Sequence, residues 1–182
     1  MTISPNEAGA MLADVDAVVA RVKQSRNYRQ AAAFLILWGA IVVVGDVFAM
    51  AAPRWAGAGW LAIDAFGAAA TFAMLRGRSA PDSRIPLRLL AAFALFFVFG
   101  LVWSEGIGRF GPRELAAFWP TFFLFGYALA GLWFGAMFLA LGLGLSGLIA
   151  AGYIWSGEYF DLWLAVVHGG GFVLCGVWMR RA

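Results

Sequence analysis

The first thirty residues place apolar side chains at helical spacing, and six long apolar runs follow them. Ser4, Pro5 and Glu7 form the capping pattern of a helix N-terminus. Beyond it the apolar positions fill an arc of about 120°: Ala8, Met11, Leu12, Val15, Val18, Val19 and Val22. The pattern predicts an amphipathic helix within residues 1–30 that lies on the membrane surface. A helix that binds a partner or a second copy of itself is the alternative.

Six apolar runs follow, each close to the ~20 residues that a membrane-spanning helix needs. They cover about residues 31–52, 55–75, 86–104, 113–132, 135–156 and 160–179. Short turns pair them into helical hairpins at about 31–75, 86–132 and 135–179. The sequence therefore predicts an all-α membrane bundle of six transmembrane helices, forming one domain over residues 31–182.

Composition supports the bilayer as the solvent for most side chains. Hydrophobic residues make up 63% of the 182-residue chain and charged residues 13%, against roughly 45–50% and 25% in an average soluble domain. The net charge of +3 does not indicate nucleic acid, because the basic residues sit in short clusters beside the apolar runs. That placement is typical of residues that orient a membrane protein.

The basic residues also predict the orientation. If both termini share one side, 10 of the 13 Lys and Arg residues fall on it: Arg21, Lys23, Arg26, Arg29, Arg76, Arg78, Arg84, Arg88, Arg180 and Arg181. Only Arg54, Arg109 and Arg113 fall on the other side. The excess predicts a multi-pass protein of the bacterial inner membrane with cytoplasmic N- and C-termini.

A shift of 59 positions aligns the first hairpin with the second. It gives 12 identities in 47 ungapped pairs, among them the outer-turn pair Pro53-Arg54 with Pro112-Arg113. A shift of 104 positions aligns the third hairpin more faintly and places Asp64 on His168. We therefore expect three parallel hairpin repeats related by an axis along the membrane normal.

Two resemblances follow from these residues. The opening, "SPNEAGAML…YRQAAAFLILWGAIVVVG", resembles the start of a family of small six-helix bacterial membrane proteins with no established activity. The three-hairpin plan, with Pro at the outer turn and Gly in the return helix, is similar to acid-resistance membrane proteins of the HdeD type. The third hairpin departs from that plan, with Gly157 in place of Pro. This second resemblance implies a stress-response role and little about catalysis.

Ionisable residues inside the membrane are costly and are candidate functional residues by default. The candidates are Asp46, towards the outer end of the first helix, Asp64 and His168, near the middle of theirs, and Glu105, at the outer interface. We expect Asp64 and His168 to face the bundle interior at similar depth and to interact. Asp64 and His168 are interpreted as a polar clamp that fixes helix packing, and Asp46 as a residue near the interface that bonds Ser, Trp or water. A proton or ion path, or a ligand site, is the alternative that remains open.

Other chemistry has less support in the sequence. Cys175 lies seven residues from His168, about 10 Å along one helix, too far for a thiol–imidazole pair. Because the chain has one His and one Cys, we expect no metal, no cofactor and no catalytic residues. We expect Gly67, Gly126, Gly171 and Cys175 to serve close helix packing, as do the glycines of "GLGLSG" at 142–147.

The expected function is therefore non-enzymatic. The sequence indicates a membrane component that acts in the stress response or in association with a partner. Its expected partners are the lipid bilayer and either a second copy or another membrane protein. A small transporter or proton/ion pathway that uses Asp64, His168 and Asp46 is the alternative.

Overall fold

The computed structural model describes residues 5–77 and 85–181, and every regular element within them is helical. Six stretches are long and apolar enough to cross a membrane: Tyr28–Ala51, Pro53–Arg76, Leu90–Ile107, Pro112–Phe134, Ala136–Trp155 and Gly157–Arg181. The predicted all-α class with six membrane-spanning helices is confirmed.

The first helix, α1, is longer than its membrane-spanning part. It runs without interruption over Pro5–Ala51, about 70 Å at 1.5 Å per residue. The sequence contains no Gly or Pro between Gly9 and Gly39, so nothing ends the helix where the polar segment meets the apolar one. Ser4, the predicted cap, lies outside the described residues. The placement of residues 5–24 on the membrane surface stays a prediction.

The remaining elements alternate between long helices and tight turns. A 3₁₀ turn at Pro53–Trp55 leads into α2 (Ala56–Arg76), and α3 (Ile85–Leu101) continues as a π-helical turn over Val102–Ile107. The second half contains α4 (Pro112–Phe134), α5 (Ala136–Trp155), a 3₁₀ turn (Gly157–Tyr159), α6 (Phe160–Leu164), a π-helical turn (Ala165–Gly170) and α7 (Gly171–Arg181). Gly135 separates α4 from α5. Its φ angle is +124°, a backbone conformation that residues other than glycine rarely adopt.

The hydrophobic core lies between α1, α4, α5, α6 and α7. Its buried side chains are Ala32, Leu35, Leu124, Phe138, Leu141, Leu145, Ile149, Phe160, Leu164, Phe172 and Met179. The helices α2 and α3 add none to this cluster, and only 6% and 11% of the residues in their most apolar stretches are buried. These two helices therefore lie at the periphery, where α3 contacts α4 through aromatic rings such as Phe96 on Phe122.

One contact recurs in all three hairpins. A glycine near the outer end of the first helix leaves room for an indole ring from the return helix: Gly45 for Trp60, Gly100 for Trp119 and Gly152 for Trp163. The 59-residue shift pairs Trp60 with Trp119. Trp163 is offset by one residue from the position that the 104-residue shift gives. The hairpins thus share a packing device, while their descent from one repeat stays a prediction.

Candidate functional site

The first and last spans approach each other through glycines and small side chains. A β-carbon at Gly39 would lie 2.8 Å from the carbonyl oxygen of Gly169, and one at Gly176 would lie 2.9 Å from that of Ala32. We call this contact the α1–α7 seam, formed by Ala32, Ile36, Gly39 and Val43 with Gly169, Val173 and Gly176. Close backbone approach through small residues is the usual way in which membrane helices associate.

Asp46 lies on the seam side of α1, seven residues beyond Gly39. It is the nineteenth of the 24 residues of its span, towards the C-terminal end. The residue is 7% exposed, and its Oδ2 atom has no hydrogen-bond partner. Asp161, at the start of α6, is close enough for its charge to act on the Asp46 carboxyl group. A buried carboxyl oxygen without a partner is rare in proteins and calls for a functional explanation.

His168 lies on the other side of the same seam, within the π-helical turn Ala165–Gly170. It is the twelfth of the 25 residues of its span and is 7% exposed. Its ring meets Phe172 edge to face with centroids 4.7 Å apart, while Nε2 has no hydrogen-bond partner. Single π-helical turns inside α-helices are frequent at functional sites.

Asp46 lies on the seam face of α1, and His168 directly precedes Gly169 of the seam. Because Gly169 packs on both Gly39 and Val43, His168 lies level with about residue 42 of α1. Asp46 is about four residues further along, or about 6 Å along the helix axis. Two buried polar groups without hydrogen-bond partners therefore lie at or beside the seam at different depths.

Asp64 lies at the predicted depth but on the opposite side of α1. It is the twelfth of the 24 residues of the second span, so its depth matches that of His168. One turn further along α2, Gly67 packs on Trp38 and Ile41, which lie on the face of α1 nearly opposite Gly39 and Val43. With α1 between them, Asp64 and His168 do not interact, and the expected pair is not found. Asp64 is half-buried, and no described residue forms a hydrogen bond or an ion pair with it.

Glu105 lies at the outer end of the third span, in the π-helical turn Val102–Ile107. Its side chain is exposed, whereas the neighbouring Ser104 is fully buried and its hydroxyl has no hydrogen-bond partner. The structure therefore separates Glu105 from the other three candidates. The buried Ser104 hydroxyl was not singled out in the sequence, where a serine one residue before a carboxylate gives no signal.

The residues predicted to serve helix packing differ in how closely a neighbouring helix approaches them. Gly67 faces Trp38, and Gly171 faces Leu145; a β-carbon at either position would lie 2.8 Å from that side chain. Gly126 has more room, with its nearest contact, Phe96, at 3.8 Å. Cys175 is a free, half-buried thiol that packs against the core.

Sequence reasoning missed the closest contacts of the bundle. In "GLGLSG" only Gly142 meets a neighbouring helix, at the backbone of Leu124 and Ala128, while Gly144 and Gly147 face open space. The sequence predicts for Arg113 only the side of the membrane on which it lies. In the structure its guanidinium donates hydrogen bonds to the carbonyls of Tyr153 and Gly157. A pattern of small residues does not reveal which of them faces a helix.

Within residues 5–77 and 85–181, no three His, Cys, Asp or Glu side chains are placed to hold a metal ion. Comparison with known proteins adds no further assignment: no family model, curated protein or solved structure matches this chain. The length and apolar composition of the six helices are those of a multi-pass membrane protein.

Proposed function

We propose that this chain is a non-enzymatic component of the bacterial inner membrane that associates with a second copy or with another membrane protein. Asp64 carries this proposal. It lies at the midpoint of a spanning helix of which 6% is buried, and it has no partner among the described residues. A carboxyl group at mid-membrane depth requires a polar partner, and a neighbouring molecule against α2 would supply one. The stress-response part of the expectation comes from the HdeD-type resemblance alone.

The apolar surface of α2 and α3 supports association. An apolar groove of about 410 Å³ runs between α1 and α2, with Leu37, Val44, Ala62 and Phe66 among its walls, and Asp64 does not line it. Exposed apolar side chains continue the surface over α2 and α3, including Leu61 and Leu95. We call these exposed side chains of α2 and α3 the α2–α3 face. The α2–α3 face is by itself compatible with lipid contact. The observation that favours a protein partner is therefore Asp64, which has no partner among the described residues.

The same proposal includes the orientation of the chain. The excess of basic residues on one side supports cytoplasmic termini. Among them, Arg29, Arg76, Arg88, Arg180 and Arg181 are exposed. In this orientation the α1–α7 seam runs from Ala32 near the cytoplasm to Asp46 near the outer surface.

Photo-cross-linking in membranes tests the partner role. A photoreactive amino acid in place of Leu61, one turn from Asp64, should form protein adducts, and Asp64→Leu should reduce their yield by at least five-fold. The same amino acid in place of Leu143, an exposed position on α5, serves as the control and should form few. Adducts of twice the 19.6 kDa chain mass would identify a second copy, and other masses would identify another membrane protein. Equal yields at both positions, or yields unaffected by Asp64→Leu, would contradict the proposal.

A second candidate function is a proton pathway along the α1–α7 seam. The observation that favours it is the pair of buried polar groups without partners, Asp46 and His168, in a single seam. Such groups in a membrane bundle are typical of proton relays. Their separation of about 6 Å along the axis requires at least one intervening group or water for proton transfer.

Proton flux into liposomes separates this second function from the first. Liposomes that contain the purified protein and a pH-sensitive dye should equilibrate faster than empty liposomes. Asp46→Asn and His168→Leu should each reduce the flux at least ten-fold, because each removes one step of the relay. Glu105→Gln, at an exposed position away from the seam, is the control and should change it less than two-fold. Flux equal to that of empty liposomes would exclude the pathway and leave the partner role intact.

A further inference from the structure

A cavity of about 260 Å³ lies among α1, α2, α3 and α4, in the half of the bundle that contains the C-terminal end of α2. Its walls are mostly apolar and include Phe34, Phe72, Leu75, Leu90 and Phe93. Leu90 is an exposed side chain, so the cavity is open beside α3. An apolar cavity that is open within a membrane-spanning region is accessible to lipid chains.

The interior of the cavity contains one polar contact that is already satisfied. The indole nitrogen of Trp38 donates a hydrogen bond of 3.0 Å to the hydroxyl of Thr71. This bond connects α1 to α2 across the cavity wall, so neither group requires a partner from a ligand. The site therefore offers apolar surface in its interior.

The rim of the cavity has a positive charge. Arg76 is the last residue of α2, and its guanidinium carbon lies 5.0 Å from the ring centre of Phe72, a wall residue. This cation–π contact holds the guanidinium at the rim. Arg76 is exposed, and no described residue forms a hydrogen bond or an ion pair with it. A guanidinium carries five N–H donors that can bind an anion.

We propose that the cavity binds an anionic phospholipid, with one acyl chain between α2 and α3 and the phosphate on Arg76. Charge complementarity selects this occupant, because an anionic headgroup matches the exposed guanidinium of Arg76 while the apolar walls match the chain. Basic pockets between membrane helices at the cytoplasmic side bind such headgroups, and the cytoplasmic leaflet is rich in anionic lipid. A zwitterionic lipid gains less from Arg76, and free phosphate leaves the apolar walls uncovered. The site does not require the partner proposed for Asp64.

Lipid titration of the purified full-length protein tests the site. The protein in detergent would be titrated with phosphatidylglycerol or with phosphatidylcholine of the same chains, and bound lipid counted by native mass spectrometry. We expect one phosphatidylglycerol to bind more tightly than phosphatidylcholine. Arg76→Gln should weaken its binding about five-fold, the effect of one arginine on anionic lipid, and Ala68→Phe, which fills the cavity wall, should weaken both lipids. Arg88→Gln, an exposed cation that does not line the cavity, should change neither.

Because Arg76 is exposed, Arg76→Gln removes no core contact. A change in lipid binding by this variant therefore reports on the site and not on the fold. Equal affinity for the two lipids, or no effect of Arg76→Gln, would overturn the proposal. Competition by millimolar inorganic phosphate without an effect of Ala68→Phe would also overturn it, since that result indicates an anion site without an acyl chain. The midpoint of thermal unfolding verifies that Ala68→Phe is folded, and Ala68→Leu provides a smaller filling group.

Discussion

Gly142→Ala is expected to lower the free energy of unfolding by about 1–3 kcal/mol, the usual cost of inserting a methyl group into packed surroundings. A β-carbon at Gly142 would lie 2.5 Å from the amide nitrogen of Ala128 and 2.6 Å from the carbonyl oxygen of Leu124. Both atoms belong to the α4 backbone, so the strain cannot be relieved by a side-chain rotation. The two helices would have to separate along a contact that includes Leu141, Leu145 and Leu124 of the core.

The matched control lies two residues away. Gly144, on the same helix, has no atom within 4 Å of its β-carbon position. Gly144→Ala should therefore leave stability unchanged or raise it by up to about 1 kcal/mol, because alanine is the better helix former. Unfolding in mixed micelles, followed by circular dichroism, measures both variants. Equal losses at the two positions would mean that α4 and α5 do not pack as described.

The second large effect is expected at Arg113, which joins α4 to the turn between α5 and α6. Arg113→Ala should lower the free energy of unfolding by about 2–3 kcal/mol, since hydrogen bonds from charged groups and cation–π contacts each contribute on the order of 1 kcal/mol or more. The guanidinium donates to the carbonyls of Tyr153 and Gly157 and lies 5.3 Å and 5.2 Å from the ring centres of Tyr153 and Phe160. Water can solvate the exposed Gly157 carbonyl, so the loss stays moderate.

Two further variants identify the cause of that loss. Arg113→Lys keeps the charge but lacks the planar fork that contacts two carbonyls at once, so it should recover less than half of the stability. Arg54→Ala, the equivalent residue of the first hairpin, removes an exposed arginine to which no described residue is bonded, and should cost less than about 0.5 kcal/mol. The same unfolding curves measure all three. A cost for Arg54→Ala equal to that for Arg113→Ala would indicate a general charge effect.

The spanning helices could be predicted from the sequence because length and hydropathy alone determine whether a segment can cross the bilayer. Their ends were also close to the predicted positions, since Pro53 and Pro112 restrict the backbone and Gly135 adopts a positive φ that suits a turn. The uninterrupted helix α1 was foreseeable as well, because residues 10–38 contain no Gly or Pro. The boundary near residue 30 came from polarity, which does not end a helix.

The arrangement of the helices could not be predicted in the same way. The repeat made Asp64 and His168 equivalent within their hairpins, but the hairpins do not pack equivalently, because α1 contacts both α2 and the last span. A single sequence shows which helix face is small or polar and does not show which neighbour it meets. The glycine at position 157 is instructive: it departs from the proline of the other hairpins. Its φ of +57° is one that proline cannot adopt, and its carbonyl accepts the Arg113 hydrogen bond.

The π-helical turn at Ala165–Gly170 determines where the last span can lose a residue. A π-helical turn contains one residue more than the α-helical turn that it replaces. The wide turn accommodates that residue while the helices on either side keep their phase, so deleting one residue there would restore a regular helix and leave Gly176 on Ala32 and Ile36, on which it packs. Deleting one residue within α7, between the turn and Gly176, would instead rotate Gly176 by about 100° away from them. The last span can therefore lose a residue at the π-helical turn, whereas the same loss in α7 would disrupt the α1–α7 seam.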